Sequence, residues 1–348
     1  MGGLLLCVPA DIRSADDVVA SVWTPKEAYA KCNRTDAAVD GPMYNAMILP
    51  YAEGPMQVAG FTWYQGEANT QNATSAEQYA CMFPQMIDAW RAAFAQPTAF
   101  FGFVQLSTWC ALPPDSLPQM REAQMAALAL PNVGYATNAD HGMGCSIHPA
   151  EKQHIGKRLA DVALGIVYKS GVQWKSPTYK SAKQTAMGVG DHGRSGSGAT
   201  VALEIALNDV SSRGLYTIYP YNYYSEGYGS HATQVPTIVD CTSTFPSGPA
   251  QNTSMETQCA WAALQISGSN AWLNATVTVS ADSESMVLTA DVPAHLEPGA
   301  GASASSRADG AATSVVASAY GWGPIPMMSV YDTNTGLPVL PWNTSVSF

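Results

Sequence analysis

The sequence predicts an α/β protein with a doubly wound parallel sheet at residues 1–171 and a β-rich C-terminal module at residues 172–348. In the first part, apolar runs of strand length alternate with helix-like segments, which is typical of parallel sheets covered by helices. From about Val172 onward, short runs rich in Thr, Val and Tyr alternate with Gly, Ser, Asn and Pro, which indicates antiparallel strands. We therefore expect two domains.

The strands of the first part are continuous apolar runs, which favours burial on both faces of the sheet. They are predicted at Leu4–Val8, Val58–Tyr64, Ala99–Leu106 and Val133–Thr137. Helices are predicted from near Pro25, at 44–51, at 74–94, at 119–130 and from Pro149 onward. Pro84 should kink or divide the third of these helices, because an interior proline removes a backbone donor and clashes with the preceding turn.

The composition argues against nucleic-acid binding and against a membrane-spanning helix. The chain has 348 residues, 47% of them hydrophobic and only 12% charged, with a net charge of −11. An acidic chain of this kind is unsuited to the phosphates of a nucleic acid, so we expect no nucleic-acid partner. No segment approaches the ~20 consecutive apolar residues of a membrane-spanning helix, so we expect no membrane span.

The cysteines and the glycosylation sequons suggest a secreted or lysosomal protein. Seven cysteines are scattered along the chain without the paired spacing of metal ligands, and an odd number leaves at least one of them outside any intrachain pairing. The five Asn-x-Ser/Thr sequons begin at Asn33, Asn72, Asn252, Asn274 and Asn343. Because the first residues form a strand rather than a signal peptide, the leader is expected in a segment upstream of Met1.

Two polar loops follow predicted strands, at the edge of the sheet where ligands bind in α/β proteins. Gln65 to Asn69 comes directly after the strand that ends at Tyr64. The Gly-rich loop from Asn138 to His148 follows the last strand of the first part, and His148 is its candidate functional residue. His141 and His154 have no such argument, and His154 is interpreted as a solvated helix residue.

Several motifs, which cover nearly the whole chain when taken together, resemble those of sialate O-acetylesterases. They are Tyr44-Asn-Ala-Met-Ile48, Trp63-Tyr-Gln-Gly-Glu-Ala-Asn69, Phe83-Pro84, Phe101-Gly-Phe-Val-Gln-Leu106, Pro118-Gln-Met-Arg121, Ser146-Ile-His-Pro149 with Lys152 and Arg158-Leu159, and a tail from Tyr320-Gly-Trp322 to Pro341. The Trp-Tyr-Gln-Gly-Glu block in combination with Ile-His-Pro is the most specific of them.

The resemblance implies an SGNH hydrolase with a flavodoxin-like fold, which removes O-acetyl groups from sialic acids by serine-esterase chemistry and uses neither a metal nor an organic cofactor. The expected partner is an O-acetylated sugar or sialoglycan. By motif, His148 is the general base and Asp140 orients it. Arg121 belongs to a block that approaches the acyl or sugar site. The block that forms the oxyanion hole and binds substrate contains Gln65, Gly66, Glu67 and Asn69.

Three departures from the family pattern limit the expected activity. The chain contains no Gly-Gln-Ser-Asn-Met block, so it has no recognisable serine nucleophile. Asp16-Asp17-Val18 stands where the family has Gly-Gly-Thr, and carboxylates there would oppose a developing negative charge. Cys145, three residues before His148, replaces the aspartate common in the wider superfamily. We expect an N-terminally incomplete esterase that is weakly active or inactive alone.

Three alternatives stay open at the level of sequence. The chain is a glycan-binding pseudoenzyme if the serine block is lost altogether, and an upstream Gly-Gln-Ser-Asn-Met block in the same reading frame would argue against that reading. An acetylesterase for another polysaccharide, such as acetylated xylan, fits the same motifs. A gene-model fragment without a stable fold is the third alternative, since the missing strand is central in a doubly wound sheet.

Overall fold

The computed structural model describes residues 4–9, 19–32, 41–54, 56–70, 72–110, 113–142, 144, 147–189, 199–218, 259–296 and 314–346. The chain forms two compact units, Met1–Lys175 and Ser176–Phe348. The predicted domain division after residue 171 stays a prediction. Asp16, Asp17, Val18 and Cys145, on which the expected loss of activity depends, lie outside the described residues.

The first unit contains a parallel four-stranded sheet, which confirms the predicted fold class for this part of the chain. Its strands are β1 (Leu4–Pro9), β2 (Val58–Tyr64), β3 (Phe100–Gln105) and β4 (Val133–Thr137). They lie in the order β1-β2-β3-β4, and each neighbouring pair is parallel. All residues of β3 and β4 are buried, as continuous apolar strands require. The carboxyl ends of the four strands therefore share one edge.

Six helices are described in the first unit, and three of the sequence predictions about them need correction, since the single helix predicted at 44–51 is in fact two helices. They are α1 (Lys26–Ala30), α2 (Pro42–Met47), α3 (Leu49–Glu53), α4 (Ala73–Ala93), α5 (Ser116–Met125) and α6 (Gln153–Ile166). Helix α4 is continuous through Pro84, so the proline does not divide it, and the predicted kink stays a prediction. Helix α6 begins at Gln153 rather than at Pro149.

The two faces of the sheet are covered by different helices, as expected of a doubly wound sheet. One face carries large aromatic side chains that pack against α4, such as Trp63 against Trp90 with ring centroids 5.5 Å apart. The other face carries glycines, and a Cβ at Gly134 would lie 2.4 Å from a methyl group of Val162 in α6. The missing side chain therefore lets α6 pack directly on the strand.

The second unit is built around an antiparallel sheet of seven strands, which confirms the predicted β-rich module. The order of the strands is β15 (Trp342–Ser345), β12 (Val315–Tyr320), β9 (Ala262–Ile266), β10 (Trp272–Val279), β11 (Ser285–Asp291), β6 (Ala199–Asn208) and β5 (Thr178–Val189). Two small sheets pair β13 (Ile325–Pro326) with β8 (Cys259–Ala260), and β14 (Val330–Asp332) with β7 (Leu215–Thr217). Alternate residues of β6 are buried, which is the pattern of a sheet with one face in the core.

The seven-stranded sheet curls until its edge strands contact each other. Tyr179 of β5 packs on Trp342 of β15, with ring centroids 5.5 Å apart. Gln184 of β5 accepts a hydrogen bond from the backbone N–H of Val315 in β12, at 3.0 Å. These contacts cover backbone edges that would otherwise be exposed, and they give the unit the form of an almost closed barrel.

Disulfides and exposed sequons agree with the cysteine and glycosylation patterns of the sequence. A disulfide joins Cys32, just after α1, to Cys81 in α4, and both Cys110 and Cys259 are disulfide-bonded as well. The sequon asparagines that the structure describes are solvent-exposed, namely Asn72, Asn274 and Asn343. None of the helices in the described ranges is long and apolar enough to cross a bilayer.

Candidate active site

The loop after β2 turns sharply at Gly66, whose backbone φ of 145° favours glycine. Residues Glu67–Asn69 then form a short 3-10 turn. The Gly66 carbonyl accepts hydrogen bonds from the Asn69 N–H at 3.1 Å and from the Thr70 hydroxyl at 2.9 Å. The turn is therefore closed by its own hydrogen bonds, and it holds its polar groups in one arrangement.

The side-chain amide of Asn69 has a defined orientation. Its Oδ1 accepts two hydrogen bonds, from the backbone N–H of Ala20 and from Nε2 of Gln65, both at 2.9 Å. Because both neighbours are donors, the oxygen has to face them and the Nδ2 group has to point away from them. Asn69 is only partly buried, and its Nδ2 has no partner among the described residues. Two N–H donors are therefore available at this loop.

The peptide between Gln65 and Gly66 offers a further donor. The Gln65 carbonyl accepts hydrogen bonds from Nε2 of Gln124 at 3.0 Å and from the Tyr79 hydroxyl at 3.3 Å. The Gly66 N–H, on the other side of the same peptide, has no partner within the described ranges. Tyr79 is fully buried, and its desolvation raises the pKa of the phenol, so the hydroxyl keeps its proton and remains a donor.

Glu67 and Arg121 lie in different surroundings from each other. Glu67 is partly buried at the start of the 3-10 turn. Arg121 of α5 is buried, and it donates to the carbonyls of Leu106 at 2.9 Å and Ser107 at 2.7 Å. The guanidinium therefore stabilises the segment that follows β3. The predicted approach of Arg121 to the acyl or sugar group stays a prediction.

Asp140, in the loop after β4, forms a buried ion pair with Arg158 of α6. Its two carboxylate oxygens lie 2.7 and 2.8 Å from the two terminal nitrogens of the guanidinium. Burial alone would raise the pKa of the Asp140 carboxyl, but Arg158 outweighs burial and lowers this pKa to about 2. Arg158 also donates to the Thr137 carbonyl at 2.6 Å, so the pair links the end of β4 to α6.

The structure corrects the interpretation of His154 and places His141 against it. Their rings are in contact, with centroids 4.2 Å apart, and Nδ1 of His141 lies 3.7 Å from the Asp140 carboxylate. His154 is partly buried rather than fully solvated, and its Nε2 lies 2.7 Å from Oδ1 of Asn138. Burial, then His141 and Arg158, lower the pKa of His154 to about 4, so its ring is neutral at physiological pH.

Asn138 connects the two polar loops. Its Nδ2 donates to the hydroxyl of Tyr64, the last residue of β2, at 2.8 Å, while its Oδ1 contacts His154. The Nζ of Lys152 lies 5.5 Å from the centroid of the Tyr64 ring. The sequence motifs do not reveal this network, although Asn138 is the first polar residue after an apolar strand and could have been chosen by the same rule as Gln65.

His148 is solvent-exposed and has no hydrogen-bond partner among the described residues. Asp140 uses both carboxylate oxygens on Arg158, and whether it also orients His148 stays a prediction. The roles of Gln65, Gly66, Glu67 and Asn69 in binding an oxyanion or a substrate stay predictions as well. Within the described ranges, no group of three or more His, Cys, Asp or Glu side chains is placed to hold a metal ion.

Comparison with known families identifies the first part of the chain. A profile described as "Carbohydrate esterase, sialic acid-specific acetylesterase" matches residues 21–165, which include both polar loops. Residues 21–165 are thus similar to that esterase family. The match confirms the family resemblance of the sequence motifs.

The curated relatives that this chain matches are considerably longer than the matched region. Rat sialate O-acetylesterase is 34% identical over 151 residues, which is 38% of this chain and 27% of the relative. The human sialate O-acetylesterase is 33% identical over 190 residues, which is 43% of this chain and 35% of the relative.

A solved structure supports the fold over both units. A carbohydrate acetylesterase from Xanthomonas citri aligns with 94% of this chain and 58% of its own, with a TM-score of 0.59 and 23% sequence identity. At this identity the likeness establishes the architecture alone, an α/β sheet followed by a β-rich module.

Proposed function

We propose that the chain catalyses the hydrolysis of carbohydrate O-acetyl esters at the carboxyl edge of the first sheet. The observation that carries the proposal is the orientation of the Asn69 amide, whose Oδ1 is held by two donors while Nδ2 is directed away from them. Together with the Gly66 N–H, this amide offers donors for the oxyanion that forms when an acetyl carbonyl is attacked. Donors of this kind increase the rate because they are already oriented when the negative charge develops.

His148 supplies the base in this proposal. Its imidazole removes a proton from the attacking oxygen and returns it to the sugar hydroxyl that leaves, so that the products are acetate and the deacetylated sugar. Since the described residues contain no recognisable serine nucleophile, water is the attacking group here. Without a covalent step, the residual catalysis of such sites is ~10³–10⁴-fold over water, so we expect a trace rate.

The substrate we propose is an O-acetylated sialic acid. The support comes from the rat and human relatives, both of which are sialate O-acetylesterases. The Xanthomonas citri protein is described more broadly as a carbohydrate acetylesterase, and acetylated xylan is therefore the competing substrate to test.

We also propose a secretory or lysosomal location, which the disulfides and the exposed sequon asparagines support. Expression in a eukaryotic host should give a chain whose electrophoretic mobility shifts after enzymatic deglycosylation. An unshifted chain would argue for the cytosol.

The activity is tested on the purified chain with an aryl acetate and with O-acetylated sialic acid, using acetate release as the readout. We expect a trace rate that is proportional to protein concentration and is lost in His148→Ala. His295, which is solvent-exposed like His148 but lies in the second unit, provides the matched control, and His295→Ala should retain the rate. A strong rate that survives His148→Ala would show that the active site lies elsewhere, and no rate above buffer would favour a non-catalytic glycan-binding protein.

A further inference from the structure

Gln124, on the buried side of α5, uses its whole side-chain amide to hold the ends of two strands. Its Oε1 accepts from the Leu106 N–H at 3.0 Å, and its Nε2 donates to the carbonyls of Gln65 and Val104, both at 3.0 Å. The side chain is completely buried. A buried amide whose donors and acceptor are all used is held in one position.

Gln124 takes the place of a sheet partner where β2 and β3 separate. The paired residues of the two strands end at Trp63 and Phe103. Beyond that point, the Gln65 carbonyl and the Leu106 N–H have no partner in the ladder, and both are bonded to the Gln124 amide instead. The glutamine thereby supports the opening between the two strand ends, next to the loop that carries the candidate oxyanion donors.

The position of the Gln65 carbonyl determines the direction of the Gly66 N–H. In a planar trans peptide, the C=O and N–H bonds point in opposite directions. Because Gln124 and Tyr79 both bind the Gln65 carbonyl on its buried side, the Gly66 N–H is directed away from them. The Gly66 Cα also lies close to this amide, since a Cβ there would be 3.4 Å from the Gln124 Nε2.

We propose that Gln124 is a positioning residue for ester hydrolysis, which orients the Gln65–Gly66 peptide so that the Gly66 N–H faces the oxyanion. The inference rests on the proposed function for its catalytic consequence, although the orientation of the peptide can be measured without it. Tyr79 assists from the same side, through the 3.3 Å hydrogen bond of its hydroxyl to the Gln65 carbonyl.

The test compares Gln124→Met with a matched control, Gln105→Met. Gln105 is also buried, and its Nε2 donates to the Arg121 carbonyl, so it links the same helix to the same strand without touching Gln65. In ¹⁵N-labelled protein, the Gly66 amide resonance should shift and broaden in Gln124→Met, because the peptide loses its principal donor. The same resonance should stay in place in Gln105→Met.

Kinetics provide the second readout. Since a misplacement of about 1 Å can lower a rate by ~10²-fold, we expect kcat to fall by up to ~10²-fold in Gln124→Met while KM stays the same. Gln105→Met should keep the kcat of the parent chain. A merely structural role would lower the melting temperatures of both variants and leave the kcat of the folded protein unchanged.

Gln124→Glu tests whether the donor itself is required. A protonated glutamic acid keeps one donor and one acceptor, whereas the ionised form places a negative charge against two carbonyls. The Gly66 resonance should return toward its parent position as the pH is lowered and the new carboxyl becomes protonated.

The outcomes separate the two proposals. An unmoved Gly66 resonance in a folded Gln124→Met overturns the positioning role, whatever the activity. If the Gly66 resonance shifts in Gln124→Met but the parent chain has no esterase activity, Gln124 still positions the peptide and the proposed function is refuted. If Gln124→Met does not fold, the pH dependence of Gln124→Glu decides between the outcomes. A Gly66 resonance that does not move when the carboxyl at position 124 becomes protonated overturns the inference.

Discussion

The polar loops after β2 and β4 share one edge of the sheet, but they hold their candidate functional groups in opposite ways. After β2, the carbonyl and amide oxygens are bound by Gln124, Tyr79 and the Ala20 N–H, and N–H donors are left available. After β4, the strongest interactions join Asp140 to Arg158, while His148 is exposed and has no partner within the described ranges.

In the proposed function, the two loops have different tasks, and each task requires a different degree of orientation. Oxyanion donors are effective only if they are oriented before the charge forms, because reorienting them during the reaction would cost free energy and raise the barrier. A general base can adjust its position when the substrate binds, and apo structures often show it loosely placed. The fixed groups of the loop after β2 therefore meet the requirement that the proposed function places on an oxyanion site.

The largest expected effect on stability concerns the Asp140–Arg158 ion pair in the loop after β4. The lowered pKa of Asp140 in the folded protein means that its ionised form stabilises the fold. This contribution is complete above about pH 4, the ordinary range of the carboxyl, and is lost as the pH falls toward 2. Asp140→Asn should therefore reduce the free energy of unfolding by roughly 2 kcal/mol at pH 7 and by much less near pH 2, as measured by urea unfolding.

Asp161→Asn is the matched control for this prediction. Asp161 pairs with Lys157 one turn earlier in the same helix, but the Lys157 side chain is 75% exposed. Surface pairs of this type contribute about 0.3–0.5 kcal/mol, so Asp161→Asn should have little effect at either pH. Equal losses in the two variants would contradict the assignment of the Asp140–Arg158 pair as a buried support of the loop.

A smaller effect is expected where the two loops are joined. Tyr64→Phe and Asn138→Leu each break the hydrogen bond between the Tyr64 hydroxyl and Asn138 Nδ2, and the Tyr64 change should destabilise the protein by about 1 kcal/mol. In the double variant, the second substitution should lower the free energy of unfolding by less than it does alone. We expect a coupling free energy of about 0.5–1 kcal/mol, measured by urea unfolding. Strict additivity would show that the loops are not joined through this bond.

The strands and the strand-end loops could be predicted because their signals are local. Runs such as Val58–Tyr64 are apolar and end abruptly in polar residues, so both the strand and the candidate site could be read from nearby residues. The predicted division of α4 at Pro84 failed because tertiary packing outweighs local propensity. Phe83 and Trp90, on either side of the proline, both pack against Phe101 of the sheet.

The hydrogen bonds that hold the site could not be predicted, because they join residues far apart in the sequence. Tyr64 and Asn138 are separated by 74 positions, and Gln65 and Gln124 by 59. The predicted start of α6 at Pro149 failed for a different, local reason. The Pro149 carbonyl is bound by the Lys152 side chain, and the helix begins only at Gln153.

The central claim, that Asn69 Nδ2 and the Gly66 N–H bind an oxyanion, is tested most directly by NMR titration with methylphosphonate. This tetrahedral anion resembles the intermediate of ester hydrolysis, and its binding requires no nucleophile. Asn69→Asp is the decisive variant, because its carboxylate can still accept from Ala20 and Gln65 but has no N–H to donate. Asn132→Asp adds the same charge at the opposite end of β4 and is the matched control.

In the parent chain and in Asn132→Asp, the Asn69 side-chain amide and the Gly66 amide resonances should move together with a single dissociation constant. Asn69→Asp should remain folded and lose this binding. Phosphonate binding that leaves both resonances unmoved, or that persists unchanged in Asn69→Asp, would contradict the assignment of this loop as the oxyanion site.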